Sequence, residues 1–421
     1  MAAWASGRRR AIFAAGVGNV LEWYDFTVYA YLAAILGKHF FQSGNETAAL
    51  LATFAVFGVG FVARPIGGIL IGIFGDRYGR KPALLLTFSL MIISTGMIGL
   101  LPSYATIGLA APVLLVVARL MQGISAGGEW GGAASFLVEW APANRRGLFG
   151  SFHPFAICVG QLIGAGVTAG LTTALGSATM EEWGWRVPFL LGALIAPVGL
   201  YIRRRVDETP AYQEAKEPSN AALAGEFPML KTMMLAFAFP VLQSILTYLF
   251  LSYFPTFGQK YVGLSPSAAL WSTVLATFVM GATCVISGAL SDAIGRRTCL
   301  FASCVLSFVL AYPLIQAMLG ASTSSVILLH VCFAAMNGLF LGALAASLVE
   351  MFPTAKRMTG LTTAYNLQSM IFGGFAPFIA AWLIATTGQP ISIAFFVMFG
   401  AAMSGIAVLM LRETARDGSL Q

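Results

Sequence analysis

A few ionisable side chains interrupt long apolar runs in this chain. Glu22 and Asp25 fall within residues 11–36, Arg64 within 48–74, and Arg119 within 107–141. Ionisable groups in apolar spans are costly, so they are the first candidates for chemistry. Glu22 and Asp25 are three residues apart and share a helix face, which Tyr29 extends by a turn. Gln122 shares the face of Arg119, and Glu129 lies farther along the same run. A carboxylate beside an arginine stays ionised. When an anionic ligand takes the arginine, the carboxylate loses its partner and can load a proton. These residue types therefore offer coupling between a proton and an anionic ligand.

The elements that hold them are long and greasy. The chain is 58% hydrophobic and 10% charged, with mean hydropathy +0.81. Soluble domains carry roughly 25% charge, so this composition predicts a polytopic membrane protein. Twelve spans are expected at 11–36, 48–74, 82–101, 107–141, 148–175, 187–203, 232–258, 265–289, 298–319, 325–352, 360–386 and 391–411. All should be helices, because strand alternation is absent and a bilayer leaves only helices or closed barrels. Asp25 lies roughly 22 Å in from Arg10 at 1.5 Å per residue, well inside the bilayer. The basic run Arg8, Arg9, Arg10 imitates a signal peptide, but the run after it is too long and carries two acids. It reads as an uncleaved first span.

The net charge of +7 does not mark a nucleic-acid binder. Of the 24 Lys and Arg, all but Lys38, Arg186, Lys260, Arg64 and Arg119 fall in segments expected on the cytoplasmic side. That is the positive-inside bias, and it places both termini in the cytoplasm. The five cysteines, 158, 284, 299, 304 and 332, lie in apolar spans without ligand spacing and read as packing residues.

The chain repeats itself. GIFGDRYGRK at 72–81 returns as GALSDAIGRR at 288–297, half a chain later. Each copy is a tight loop between two spans. A second repeat pairs Glu139, Pro142, Arg145 and Arg146 with Glu350, Pro353, Lys356 and Arg357. The longest polar segment, 203–231, lies between spans 6 and 7. The expected domains are thus a six-helix half over 1–202, a cytoplasmic linker over 203–231 and a six-helix half over 232–421. Two parallel halves of this kind rock about a site near the midplane. The pairs Gly68 and Gly72, Gly123 and Gly127, and Gly160 and Gly164 allow close helix approach and read as packing.

The duplicated loop resembles the signature of the major facilitator superfamily. Within it, GNVLEWYDF (18–26), RPIGG (64–68), RLMQG (119–123) with Gly127, Gly128 and Glu129, and WGWRVPF (183–189) resemble the metabolite–proton symporter group. Members carry citrate, 2-oxoglutarate, shikimate, proline or betaine with protons. Residues 103–112 and 253–258 look closest to citrate–proton symporters. His153, Pro154, Gly160 and Gln161 in span 5 look more like the 2-oxoglutarate permeases.

The resemblance implies an all-α integral membrane fold of twelve transmembrane helices in two pseudo-symmetric halves. It implies that Asp25 and Arg119 exchange partners as the proton-coupling pair, with Glu22 as the alternative carboxylate. It also implies conformational latches at Asp76, Arg77 and Arg80 and at Asp292, Arg296 and Arg297. From the residues themselves, Arg64 either meets a substrate carboxylate or bridges to Glu129. Substrate-contact candidates are Arg119, Arg64, Gln122, Tyr29, His153, Gln161, Asn337, Asn366 and Gln368. Polar but uncharged mid-span residues suggest that the second half completes a pocket while the first handles charge.

The expected function is proton-driven uptake of a small organic acid, a citrate-like tri- or dicarboxylate, with a betaine or proline symporter as the alternative. Aromatic residues suited to a quaternary amine support that alternative. No nucleotide loop, metal-ligand cluster or nucleophile–base set appears, so neither an enzyme nor ATP drive is expected, and no cofactor. The expected setting is the inner membrane with lipid as neighbour, and family habit implies a monomer.

Overall fold

The computed structural model describes residues 19–41, 44–78, 80–127, 129–139, 141–204 and 228–415. Residues 11–18 of the expected first span and most of the expected linker lie outside them, so the linker and the domain boundaries stay expectations. Every regular element among the described residues is helical, as a bilayer requires of backbone polar groups. Eight helices are long and apolar enough to cross a membrane, and Leu85–Leu100, Ala110–Ala126 and Arg186–Ile195 are shorter apolar helices.

With the first helix these make twelve. α1 covers residues 19–31 and continues past a turn at Leu32 as Ala33–Phe40. α2 is Glu46–Tyr78, α3 Arg80–Leu100 and α4 Ala110–Ala126, resumed as Glu129–Glu139. α5 is Arg146–Thr179 and α6 Arg186–Arg204. α7 is Met229–Val262. α8 is Pro266–Ile294, α9 Arg296–Met318, and α10 Thr323–Glu350. α11 runs from Thr354–Gln368 through Ser369–Gly374 to Ala376–Thr387, and α12 is Ser392–Met410.

Two boundaries depart from the sequence expectation. The loop expected at 75–81 is almost consumed by helix, since α2 reaches Tyr78 and α3 begins at Arg80. The fourth span is not one continuous helix. It breaks at Gly127, whose carbonyl accepts a hydrogen bond from Asn366 Nδ2 at 2.9 Å.

The outer surface is a belt of apolar side chains such as Leu100, Leu109, Leu194 and Phe278, suited to acyl chains. Polar side chains turn inward. Each half is closed by a glycine crossing. A Cβ on Gly123 of α4 would stand 1.9 Å from the Gly60 carbonyl oxygen of α2, and one on Gly342 of α10 would stand 2.4 Å from that of Cys284 on α8. The equivalent helices of the two halves thus meet in the same way, which is the structural trace of the duplication. At such approaches only glycine lets the backbones touch.

The halves meet along α5 with α8 and α2 with α11. Phe61 packs where a Gly374 Cβ would be, at 2.5 Å. α7 and α11 each carry a π-helical turn here, Tyr248–Tyr253 and Ser369–Gly374. Such turns free backbone groups and recur at functional sites.

Candidate functional site

A cavity of about 20 Å³ lies between the halves. Its walls are Trp23 from α1, Trp130 from α4, Ile157 and Gln161 from α5, Gln243 and Thr247 from α7, Met280 from α8, residues of α10, and Tyr365 from α11. The volume holds a water molecule and no solute. Trp130 and Tyr365, from opposite halves, stack at 3.8 Å. Gln161 is fully buried, and neither amide atom has a hydrogen-bond partner. Gln243 Oε1 is also unpartnered, while its Nε2 donates to Thr247 Oγ1 at 3.0 Å. Asn337 stands beside this wall, donating to Thr247 Oγ1 at 2.8 Å and leaving Oδ1 unpartnered. No Asp, Glu, His, Lys or Arg is among the lining residues described.

The charged residues form a separate layer behind the aromatic wall. Arg64 Nη2 meets Glu22 Oε1 at 3.0 Å, with both side chains buried. Its guanidinium carbon lies 4.6 Å from the ring of Phe61 and 5.6 Å from that of Trp23. Arg119 is fully buried among Tyr29, Phe26 and Phe57, at 4.4, 4.7 and 5.1 Å from their rings. Its Nη1 donates to Gln122 Oε1 at 2.7 Å. Gln122 Nε2 donates to Thr95 Oγ1 at 3.0 Å, and Thr95 Oγ1 donates to Asp25 Oδ2 at 2.5 Å. Asp25 and Arg119 therefore share a two-residue relay and no direct ion pair among the described contacts.

Of the residues singled out from sequence, Gln161 lines the cavity and Asn337 supports it. His153 sits edge-on to Trp130 at 5.2 Å, next to the cavity. Gln122 and Tyr29 are engaged elsewhere, and Tyr29 Oη donates to the Thr53 carbonyl at 3.1 Å. Gln368 lies inside the second half between the Ser244 hydroxyl and the Pro240 carbonyl. Asn366 bridges the halves through Gly127. Arg64 has Glu22 as partner, while the side chain of Glu129 lies outside the described residues. Thr95 and Trp130 carried no sequence signal, because a lone threonine and a tryptophan in the glycine-rich stretch 127–132 look like packing residues.

Both ends of the cavity are bridged. Where α8 passes into α9, Asp292 accepts from the backbone N–H of Gly147 and Leu148 on α5 at 2.7 and 2.9 Å. Arg296 grips Glu350 at 2.7 and 2.9 Å and Asp292 at 3.0 Å. Arg357 of α11 meets Glu139 of α4 at 2.5 Å. Arg297 Nη2 donates to the Leu409 carbonyl, and Arg77 lies over the ring of Tyr78. The side chains of Asp76 and Arg80 lie outside the described residues. At the far end the contacts are hydroxyl bonds: Thr173 with Ser267 at 2.8 Å, and Lys260 to Thr47 at 3.2 Å.

A bundle of two duplicated halves with a small cavity between them is the architecture common to many secondary transporters. Comparison with known proteins gives the same picture. The family model described as sugar (and other) transporter matches twice, over residues 11–225 and 213–418. The proline/betaine transporter of Escherichia coli (strain K12) is 34% identical over 97% of this chain and 84% of its own length. The citrate-proton symporter of Klebsiella pneumoniae is 36% identical over 98% of this chain and 94% of its own. The alpha-ketoglutarate permease of Escherichia coli (strain K12) is 35% identical, covering 97% and 95%. The crystal structure of D-xylose-proton symporter superposes with TM-score 0.75 at 22% identity, covering 98% of this chain and 99% of that one. The chain belongs to the sugar (and other) transporter family of the major facilitator superfamily, and it is a twelve-helix membrane transporter, not an enzyme.

Proposed function

We propose that this protein is a proton-coupled symporter of a small carboxylate-bearing solute, moved inward across the inner membrane by rocking of two halves joined by the linker 203–231. The carboxylate is common to the solutes named for the citrate-proton symporter, the alpha-ketoglutarate permease and the proline/betaine transporter. The buried acids of α1 are the proton sites, and the midplane cavity takes the solute once the halves part.

The observation that carries the charge of the solute is the lining. Gln161 offers an unpartnered amide inside walls of Trp23, Trp130 and Tyr365, with no ionised group. Aromatic faces attract a quaternary or secondary ammonium, and an amide N–H can hold one carboxylate. A multiply charged acid would leave water for a wall with no cation, which is costly. The lining therefore favours a zwitterion of the betaine or proline kind over the tri- or dicarboxylate expected from sequence.

One observation supports the second reading. Arg64 stands behind Trp23, one ion pair from release. A proton on Glu22 would free that guanidinium for a second carboxylate, and Arg suits bidentate carboxylate recognition.

Uptake into proteoliposomes under an inward proton gradient, without sodium, separates the two. Labelled betaine or proline should accumulate, collapse with a protonophore, and resist competition by citrate. Accumulation of citrate or 2-oxoglutarate with betaine inert would replace the zwitterion by the acid.

A further inference from the structure

We propose that Thr95 and Gln122 are positioning residues that carry the protonation state of Asp25 to Arg119. The proposal rests on the proton-coupled reading above and concerns how the proton is felt, not which solute is carried.

The relay has a forced polarity. A guanidinium only donates, so the end of Gln122 facing Arg119 must be its carbonyl. The amide nitrogen of Gln122 then faces Thr95, at 3.0 Å. Thr95 Oγ1 accepts that bond and has one proton of its own, which points to Asp25 Oδ2. A carboxylate only accepts when ionised. Four groups on three helices are thus aligned in one sense, from the arginine to the acid, by donor and acceptor chemistry alone.

Close neighbours surround both ends of the relay. The second oxygen of Asp25, Oδ1, lies against α6 where a Gly192 Cβ would stand 2.7 Å away. A Gly60 Cβ on α2 would stand 3.2 Å from Arg119 Nη2. Arg119 Nη2 also donates to the Phe57 carbonyl at 3.3 Å, but Nε has no partner. The guanidinium therefore has a spare donor with which to take a new position.

Protonation of Asp25 replaces a charge-assisted bond from Thr95 by a neutral one, about half as strong. If the proton sits on Oδ2, the two hydroxyl groups face each other as donors and Thr95 must turn away. Either way the bond chain slackens and Arg119 loses the negative end that oriented it. The charged and titratable groups facing Asp25 among the described residues are Arg119 on α4 and Tyr24 beside it on α1. α3 and α6 present Thr95 and Gly192, which do not titrate, and at the other end Arg119 also feels Arg64, Tyr29 and Tyr248.

The test uses the full chain in proteoliposomes, with betaine, proline and citrate as probes. Two quantities are read: accumulation driven by the proton gradient, and counterflow exchange, which needs no gradient. In Thr95→Val the ratio of accumulation to counterflow should fall about tenfold. The pH of half-maximal uptake should move up by about one unit, because the charged acid has lost a donor. Thr95→Ser, which keeps the hydroxyl, should restore both. Gln122→Met keeps the volume but cuts the next link, and should reproduce the Thr95→Val ratio.

A wild-type ratio and pH profile in Thr95→Val or in Gln122→Met would overturn the relay. So would equal loss of both activities in Thr95→Val that Thr95→Ser fails to rescue, since that is a packing defect. Absence of gradient-driven uptake of every probe by the wild-type protein is a different result. It would remove the symport reading itself, and the relay with it.

Discussion

Glu22 and Arg64 face each other across α1 and α2 at 3.0 Å, sealed from solvent and lipid behind the ring of Trp23. An ion pair in this position is held by its geometry, because each charge alone would be costly in a medium that solvates neither. Removing one partner should cost about 3–5 kcal/mol, and removing both far less. Glu22→Gln should therefore lower the melting temperature in detergent, and the double variant Glu22→Gln with Arg64→Gln should recover most of it. Equal melting temperatures for wild type and Glu22→Gln would mean that the pair does not hold α1 to α2.

Gln161 gives the opposite expectation. Its amide is buried and has no partner in the closed state, so it contributes no hydrogen bond to stability. Its work begins when a solute enters. Gln161→Ala should raise KM about tenfold, the worth of one good hydrogen bond, while the melting temperature stays level or rises. Uptake kinetics and a thermal shift on the same preparation check both halves. A fall in melting temperature with KM unchanged would make Gln161 a packing residue.

The fold was largely legible from the chain, and the reason is physical. Duplicated loops, apolar runs and cation placement are properties of sequence alone, so the two halves and the twelve helices could be read from them. The pairing of charges could not. Arg64 was open between a substrate and Glu129, yet Glu22 reaches it from another helix. The spacing of Glu22 on α1 says nothing about which helix will lie opposite. Thr95 was invisible for the same reason. Its hydroxyl matters only because α3 brings it between Gln122 and Asp25. Gln161 was identifiable, since an amide deep in an apolar helix needs a reason to be there. Trp130 was hidden in the glycine-rich stretch 127–132, and it forms a cavity wall stacked on Tyr365 of the other half.

Asp292 ties the halves together through backbone groups rather than through a side chain. Its two oxygens accept from Gly147 and Leu148 at the start of α5, where the helix dipole also favours an anion. Asp292→Asn loses the charge and keeps one acceptor. The seam between α5 and α8 should then open more often at this end. Ser151 lies buried in that seam, where a Gly288 Cβ would be 2.6 Å from it. Ser151→Cys places a thiol there at little change in volume, in a background with the natural cysteines replaced. Maleimide labelling of that thiol should be about tenfold faster in the Asp292→Asn protein, for a loss of roughly 1.4 kcal/mol from closure. Unchanged labelling would mean that the charge of Asp292 does not keep this end shut.

Glu413 adds a pH-dependent tie at the same end. It follows α12 and accepts from the backbone N–H of Arg296 and Arg297, both at 3.0 Å, and of Ala415 at 3.0 Å. Burial pushes its carboxyl up, but these three bonds and the charge of Arg296 outweigh that and hold it below the ordinary carboxylate range. A depressed carboxyl stabilises the fold above its unfolded value, and the contribution is lost as pH falls through the folded one. Wild type should therefore be more stable than Glu413→Gln at neutral pH. The gap between their melting temperatures should close as the medium is acidified below the carboxylate range. A gap that stays constant across that interval would show that the carboxyl acts through shape and hydrogen bonding alone, with no contribution from its charge.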